Sequence, residues 1–163
     1  MTNPQSPAEP RAGRPYLPEG YGVPKDDLGL MPWSKARTAL EQAKLYWVGT
    51  TRPDGRPHAV PIWGAWLDNT FFFEGSPATR RGRNLAANPA IVVHIEQGNL
   101  AVMVEGYAEM QAALDPALFT RIADSFAARY QYRPESGEGF CVVRPQAVLA
   151  WDEFPASVTK WTF

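Results

Sequence analysis

Three arginines, Arg80, Arg81 and Arg83, lie within four residues in the stretch FFFEGSPATRRGRNLAANP, residues 71–89. The pattern predicts a short helix over about 79–87, preceded by a turn rich in glycine and proline. Arginine is disfavoured at a helix start, because the first turn already carries a partial positive charge. The arrangement therefore predicts one of two things: arginines exposed to solvent, or an anion bound among them.

A phosphate site would explain these arginines in chemical terms. If Ser76 or Thr79 caps the helix, the free N–H groups of its first turn point outward beside Arg80 and Arg81. Guanidinium groups bind phosphate through paired hydrogen bonds, and the amides and hydroxyls add neutral donors. Helical spacing also places Asn84 on the same face as Arg80. On the residues alone, a solvated helix and a phosphate site fit this stretch equally well.

Other patterns that carry chemistry are missing from the sequence. It has no Walker phosphate loop, no GxGxxG, no GxSxG, and no pair of carboxylates that marks an acid–base couple. Of its two histidines, His94 lies in the strand-like IVVHIE and is interpreted as structural. His58 is interpreted as a surface residue or as a residue at the mouth of a site. The sequence therefore identifies no catalytic residue and no metal site.

The composition limits what the anion can be. The 163 residues correspond to about one domain, and 45% of them are hydrophobic, as in an ordinary globular protein. Sixteen basic and 17 acidic residues leave a net charge of −1, which argues against general binding to nucleic acid or to an anionic membrane. The single cysteine, Cys141, is interpreted as a small buried hydrophobic residue. With no apparent signal peptide or membrane span, the protein is predicted to be cytoplasmic.

The helices that position these residues have recognisable starts. Residues 1–31 are rich in proline and glycine and are predicted to form an N-terminal arm, outside a domain of residues 32–163. A helix is predicted in MPWSKARTALEQAK with Ser34 as its N-cap, and its apolar face consists of Ala36, Ala39, Leu40 and Ala43. Another is predicted to start at Asp115 and Pro116, with a core face of Leu118, Ile122, Phe126 and Tyr130.

Short alternating segments predict the strands. They are 45–51, 58–67, 70–74, a pair within 90–110, one or two within 139–154, and a possible last one in SVTKWTF. Pro61 removes a hydrogen-bond donor from the second of them, so that strand is predicted to be an edge, to be bulged or to face a ligand. About six strands at short spacing, with a few helices, predict a mainly β (α+β) antiparallel, barrel-like domain.

Three ordered segments resemble one known family. YWVGTTRPDGRPHAVPIWGAW, SPATRRGRNLAANP and the ending TKWTF resemble the pyridoxamine 5′-phosphate oxidase-like proteins, and most closely their flavin/deazaflavin oxidoreductase branch. The similarity runs from about Pro32 to Phe163. It implies a six-stranded antiparallel split β-barrel that forms a homodimer, with two cofactor sites at the subunit interface. It also favours a cofactor phosphate as the anion beside the arginines.

The resemblance further implies which residues hold the cofactor. The strand along which a flavin-type ring lies is matched by Val60, Pro61, Ile62 and Trp63. The pattern that grips the cofactor phosphate is matched by Ser76, Thr79, Arg80, Arg81 and Asn84, with Arg81 where lysine is common. A C-terminal basic–aromatic pair that approaches the partner's site, usually Arg-Trp, is matched by Lys160 and Trp161.

Coenzyme F-420 is the cofactor that the resemblance favours, with FMN as the alternative. The PIW strand and the arginine-rich helix are more similar to the F-420 branch, and HAVPIWGAW lacks the basic strand usual in true pyridoxamine phosphate oxidases. The implied activity is that of an oxidoreductase in which reduced F-420 delivers a hydride to a small conjugated or unsaturated substrate. Two alternatives stay open: an FMN-dependent oxidase or reductase, and a non-catalytic flavin- or deazaflavin-binding protein.

Overall fold

The computed structural model describes residues 8–137 and 139–163. Nine strands formed by these residues make one antiparallel sheet: β1 (Arg11–Gly13), β2 (Tyr46–Thr51), β3 (Pro57–Ile62), β4 (Ala65–Leu67), β5 (Thr70–Glu74), β6 (Ala90–Gln97), β7 (Leu100–Gln111), β8 (Phe140–Trp151) and β9 (Thr159–Thr162). Three α-helices accompany them in the described residues: α1 (Trp33–Gln42), α2 (Arg80–Ala87) and α3 (Pro116–Tyr130). The predicted class, a mainly β antiparallel fold with a few helices, is confirmed.

The sheet divides along its long strand β8. The strand order is β1-β9-β8-β7-β6-β2-β3, while β4 pairs with β5. The first residues of β8, from Phe140 to Val143, pair with β5, and its later residues, from Ala147 to Ala150, pair with β9. Because β7 pairs along nearly the whole of β8, these two strands hold both branches of the sheet together.

The described residues contain more strands than the six that were predicted. The predicted strand over 58–67 is two strands, β3 and β4, separated by Trp63 and Gly64. The backbone of Gly64 bonds to α3 instead: its N–H donates to the Tyr130 hydroxyl at 3.2 Å, and that hydroxyl donates to its carbonyl at 2.9 Å. The short β1 forms within the predicted arm. Strand β3 ends the sheet order, so Pro61 lies in an edge strand, one of the three predicted possibilities.

One of the predicted helix caps is wrong. Helix α1 begins at Trp33 with Pro32 as its N-cap, and Ser34 lies inside the helix. The side chain of Trp33 is buried between those of Trp66 and Trp161, at ring-centroid distances of 6.3 and 5.3 Å. Core packing of this tryptophan therefore sets the helix start. The predicted apolar face is confirmed, because Ala36, Ala39, Leu40 and Ala43 are all buried.

The other two helices have the predicted N-caps. The Thr79 hydroxyl accepts the N–H of Gly82 at 3.1 Å, and the Asp115 carboxylate accepts the N–H groups of Ala117 and Leu118. Helix α3 buries Ile122 and Phe126 in a small core against β4, β5 and β8. In residues 8–137 and 139–163, no helix has the length and apolar character needed to cross a membrane.

The described part of the N-terminal arm lies against the C-terminal end of the chain. Strand β1 pairs with β9. The guanidinium group of Arg14 donates hydrogen bonds to four backbone carbonyls, those of Asp26, Leu28, Ala156 and Val158. Residues 1–7 of the predicted arm lie outside the described residues. The predicted boundary at residue 32 stays a prediction.

Candidate functional site

A pocket of about 690 Å³ opens between the end of β5 and the start of α2. One wall holds polar side chains of the arginine-rich stretch: Ser76, Thr79 and Arg81. Other walls come from the end of β7, which supplies Met110 and Gln111, and from Tyr132 after α3. The volume is in the range of small-molecule sites. The pocket therefore brings the predicted anion-binding residues next to an aromatic surface.

The turn before α2 is held together by its own hydrogen bonds. The Ser76 hydroxyl accepts the N–H of Ala78 at 3.2 Å, and the Ser76 carbonyl accepts both the N–H and the hydroxyl of Thr79, at 3.1 and 2.7 Å. The Thr79 hydroxyl therefore donates its hydrogen to the Ser76 carbonyl and accepts the N–H of Gly82 as the N-cap of α2. The N–H groups of Arg80 and Arg81 lie in the first turn of α2, where no intrahelical acceptor exists.

Gly82 is a site residue that no sequence pattern pointed to. A Cβ atom at this position would strike the Ser76 carbonyl oxygen and would lie 2.8 Å from Cα of Pro77. The first turn of α2 can therefore lie directly against the Ser76-Pro77 turn only with glycine at this position. A glycine inside a short helix was the available signal, because glycine is otherwise unfavourable there.

Arg81 points into the pocket. One of its terminal nitrogens donates to the Glu74 carbonyl at 3.1 Å, and its guanidinium carbon lies 5.6 Å from the centre of the Phe73 ring. Its Nε atom is buried and has no hydrogen-bond partner among the described residues. A buried, unpaired donor is costly. Arg81 therefore presents a fixed positive charge with an unused N–H group, which suits an anionic ligand.

The structure gives the other two arginines different surroundings. Arg83 donates to the carbonyl of Ala78 and so braces the turn. Arg80 is exposed and lies near the hairpin between β2 and β3. The pKa of Asp54 in that hairpin is lowered, first by hydrogen bonds from Arg56 and to a lesser extent by the charges of Arg52 and Arg80. Only Arg81 of the three lines the pocket.

Asn84 is fully buried and faces β2 rather than the pocket. Its Nδ2 donates to the Thr50 hydroxyl at 2.9 Å, and its Oδ1 has no hydrogen-bond partner among residues 8–137 and 139–163. The same Thr50 oxygen lies 3.5 Å from Nδ1 of His58. The structure therefore joins α2 to the hairpin through a polar contact of three side chains.

An aromatic group adjoins the pocket. The exposed Trp63 ring stacks on the Tyr130 ring at 4.8 Å and 8°, and lies 6.0 Å from the ring of Tyr132. The Tyr132 hydroxyl donates to the Glu74 carboxylate at 3.0 Å. Trp63 was a predicted site residue, whereas Tyr130 was assigned to the core face of α3 and Tyr132 was not singled out. Their position at the helix end, where the chain leaves the core, was the only signal.

The rest of strand β3 does not line this pocket. Val60 and Ile62 are half-buried opposite the core residues Val48 and Tyr46, while Pro61 is exposed opposite Trp47. A cofactor ring that lies along β3 would therefore lie at a sheet edge that no other strand among the described residues covers in the single chain.

The C-terminal pair lies apart from the pocket. Trp161 is 1% exposed and packs against Trp33 in the main core. Lys160 is exposed and lies between Gly13 and Leu149 in the sheet. The burial of Trp161 leaves Lys160 as the member of the pair that is accessible, and its approach to a partner's site stays a prediction.

The remaining titratable residues offer no metal centre among the described residues, because no three His, Cys, Asp or Glu side chains come together there. His94 lies against the ring of Trp47, with ring centroids 6.4 Å apart. Cys141 is buried, as predicted, and burial raises the pKa of its thiol to about 12. A thiol with such a pKa is protonated near neutral pH and is a poor nucleophile.

Several solved structures share the fold at low sequence identity. An F420 reductase is 24% identical, with a TM-score of 0.57 and coverage of 72% of this chain and 96% of that one. An FAD-binding protein from Mesorhizobium loti is 16% identical, with a TM-score of 0.60 and coverage of 80% of this chain and 93% of that one. A heme binding protein from Mycobacterium smegmatis is 22% identical, with a TM-score of 0.64 and coverage of 78% of this chain and 56% of that one. At these identities the likeness establishes the fold alone.

Sequence comparison assigns the family. Among curated proteins none matches the chain significantly. The family model described as pyridoxamine 5′-phosphate oxidase matches residues 33–152, which include the arginine-rich stretch and all strands from β2 to β8. The chain belongs to the pyridoxamine 5′-phosphate oxidase family.

Proposed function

We propose that the protein is an oxidoreductase that binds a phosphate-bearing flavin or deazaflavin, with coenzyme F-420 favoured over FMN. The observation that carries the proposal is the pocket at the start of α2, where Arg81 presents a buried, unpaired Nε beside the Ser76 and Thr79 turn. Membership of the family supports a flavin-type cofactor. The substrate class proposed is a small conjugated or unsaturated molecule.

The pocket and the aromatic residues beside it fit the two ends of such a cofactor. The guanidinium group of Arg81 and the first N–H groups of α2 suit a phosphate, since both present donors to an anion. The Trp63 and Tyr130 stack offers a flat apolar surface next to the same pocket. A planar ring system would be oriented there and shielded from water.

When bound, such a cofactor supplies hydride transfer to an electron-poor conjugated substrate. The chain's own part is to bind, to orient and to exclude water. Arg81 fixes the anionic end, because its side chain is held by the Glu74 carbonyl and the Phe73 ring. Trp63 fixes the planar end, because Tyr130 stacks on it and holds the following Gly64 at both its backbone groups.

F-420 is favoured over FMN by two features. The PIW strand and the arginine-rich helix are more similar to the F-420 branch. The exposed Arg80, outside the pocket, gives a second positive charge for the longer anionic tail of F-420. A homodimer with cofactor sites at the interface is part of the proposal, since β3 is an open edge in the single chain.

Titration of the purified protein with F-420, FMN, FAD and hemin, followed by fluorescence or absorbance, tests the cofactor. We expect F-420 to bind most tightly. Tight binding of FMN without F-420 would replace the favoured cofactor by the alternative. Binding of hemin alone, or of none of the four, would contradict the proposal.

Loss of both arginines at the start of α2 should remove most of the affinity. For Arg80→Ala with Arg81→Ala we expect at least about a hundredfold weaker cofactor binding, because charge-assisted hydrogen bonds to a phosphate are worth about 1.5–3 kcal/mol each. Arg37→Ala with Lys44→Ala makes the same change in charge on and just after α1, and should bind like the wild type. Equal affinity in all three proteins would return the arginines to a solvated helix.

A non-catalytic carrier would bind the cofactor but never turn it over. The test is oxidation of the bound, reduced cofactor across a panel of enones and quinones under anaerobic conditions. Turnover with any of them supports the oxidoreductase. Tight binding with no turnover across the panel favours the carrier.

A further inference from the structure

The contact between His58, Thr50 and Asn84 bears on which ring nitrogen of His58 carries the proton. The Thr50 hydroxyl is nearly buried and accepts a hydrogen bond from Nδ2 of Asn84 at 2.9 Å. Its own hydrogen needs an acceptor, since an unpaired buried hydroxyl is costly. The other neighbour of this oxygen among the described residues is Nδ1 of His58, at 3.5 Å. If Nδ1 accepts, the ring proton of neutral His58 lies on Nε2.

His58 is linked to α2 from the side of the hairpin, through Thr50 and Asn84. Asn84 follows Arg80 and Arg81 by four and three residues, which is about one turn of the helix. Thr50 lies directly opposite His58 in the pairing of β2 with β3. Arg81, which lines the pocket, is thus one helical turn from the residue that contacts His58 through Thr50.

Burial and the neighbouring positive charges both favour the neutral form of His58. Partial burial lowers the pKa of His58, and the positive charges of Arg52 on the β2 side and of Arg80 and Arg81 on α2 lower it further. The acidic group of the hairpin, Asp54, is already bonded to Arg56. A neutral imidazole with one fixed N–H group is therefore available beside three arginines.

We infer that Thr50 and Asn84 hold His58 as the Nε2–H tautomer, and that His58 donates this hydrogen to an anion bound at the start of α2. His58 is then a positioning residue that adds a neutral donor to the charged ones of Arg80 and Arg81. The inference rests on the proposed function only for the identity of the anion as a cofactor phosphate. The tautomer itself depends on the three side chains alone.

The tautomer can be measured without any ligand. Long-range ¹H–¹⁵N correlation spectra at pH 7.5 distinguish Nδ1–H from Nε2–H imidazoles, and the chain has two histidines, so His94→Gln assigns the signals. We expect His58 to be the Nε2–H form in the wild type and a mixture of tautomers in Thr50→Val. Wild-type His58 in the Nδ1–H form, or a spectrum unchanged in Thr50→Val, would overturn the inference.

The hydrogen bond to the anion is tested with inorganic phosphate as the probe. We expect phosphate to shift the His58 Nε2 signal in the wild type and to leave it in place in Arg80→Ala with Arg81→Ala. A His58 signal that phosphate does not move in the wild type counts against the inference. Because phosphate is the probe, this result does not depend on which cofactor binds, or on whether one does.

Affinity for the cofactor that binds gives the last measurement. His58→Ala should bind at least about tenfold more weakly, because a hydrogen bond to an anion is charge-assisted. In His58→Gln the amide nitrogen reaches the place of Nε2 and should retain wild-type affinity within about twofold, whereas His58→Asn reaches only the place of Nδ1 and should resemble His58→Ala. Wild-type affinity in His58→Ala, with affinity lost in Arg80→Ala with Arg81→Ala, would overturn the role of His58 and leave the proposed function standing.

Discussion

Five buried polar atoms have no hydrogen-bond partner among the described residues, and three of them lie on or near α2. They are Nε of Arg52, Nε of Arg81 and Oδ1 of Asn84. Each such atom costs about 1–3 kcal/mol when it is left unpaired. Of the three residues, only Arg81 lines the pocket. At the scale of single residues, its unpaired Nε is therefore the physical sign of a binding site.

Cys141 has a side chain of a reactive type, but its surroundings make it unreactive. Burial raises the pKa of its thiol from 9.0 to about 12, against the lowering effect of the Arg81 charge. We expect the native protein to react with a disulfide reagent at pH 8 only as fast as it unfolds, and the denatured protein to react at once. Because the folded pKa is the higher one, the contribution of this thiol to stability is full below pH 9 and declines as the pH rises toward 12.

Two measurements check this prediction. The labelling rate should increase with urea in parallel with the rate of unfolding, and a Cys141→Ala variant should not be labelled at all. Rapid incorporation of one equivalent by the native protein would show that the thiol is accessible.

At the scale of elements, the sequence predicted what local chemistry decides. The caps of α2 and α3 follow from one threonine and one aspartate followed by proline, and both were found. The start of α1 does not follow from local chemistry, because the packing of Trp33 between two other tryptophans decides it. Likewise Gly64 interrupts the predicted second strand through contacts with α3, which is distant in sequence.

Likewise, some residues of the candidate site could be predicted from the sequence and others could not. Ser76, Thr79 and Arg81 were predicted and do line one pocket, since they belong to one local stretch. Tyr132 could not be predicted, because only the tertiary fold brings the end of α3 to the end of β5. Trp161 was matched to the site by resemblance, but the chain buries it in the core.

The close contact between α2 and the turn before it leads to a prediction about Gly82. Gly82→Ala should destabilise the protein by about 1–3 kcal/mol, although alanine is the better helix former by about 1 kcal/mol. The reason is that the added Cβ would meet the Ser76 carbonyl and Pro77. Urea denaturation gives the change in the free energy of unfolding. Gly20→Ala is the matched control, because a Cβ there meets no atom of the described residues within 4 Å; an equal effect in both variants would contradict the contact.

At the scale of the whole molecule, the sheet has an apolar outer face as well as a core face. Strand register aligns Pro61, Trp47, His94, Met103 and Leu149 in one row across β3, β2, β6, β7 and β8. In the single chain Trp47 is 42% exposed, and Val92 and Tyr107 on the same face are also exposed. A group of exposed apolar side chains on a sheet is typical of an interface. We propose that this face meets the same face of a second copy in the homodimer that the family resemblance implies.

A charge at the centre of this face should prevent dimerisation. For Trp47→Lys we expect a monomer at concentrations where the wild type sediments as a dimer, because a desolvated, unpaired lysine would oppose the interface. Tyr16→Lys is the matched control: Tyr16 is 95% exposed, lies in the N-terminal arm, and its replacement should leave the dimer intact. If the cofactor sites need both subunits, Trp47→Lys should also lose cofactor affinity while its circular dichroism stays native. A monomeric wild type, or a Trp47→Lys variant that remains a dimer, would place the interface elsewhere.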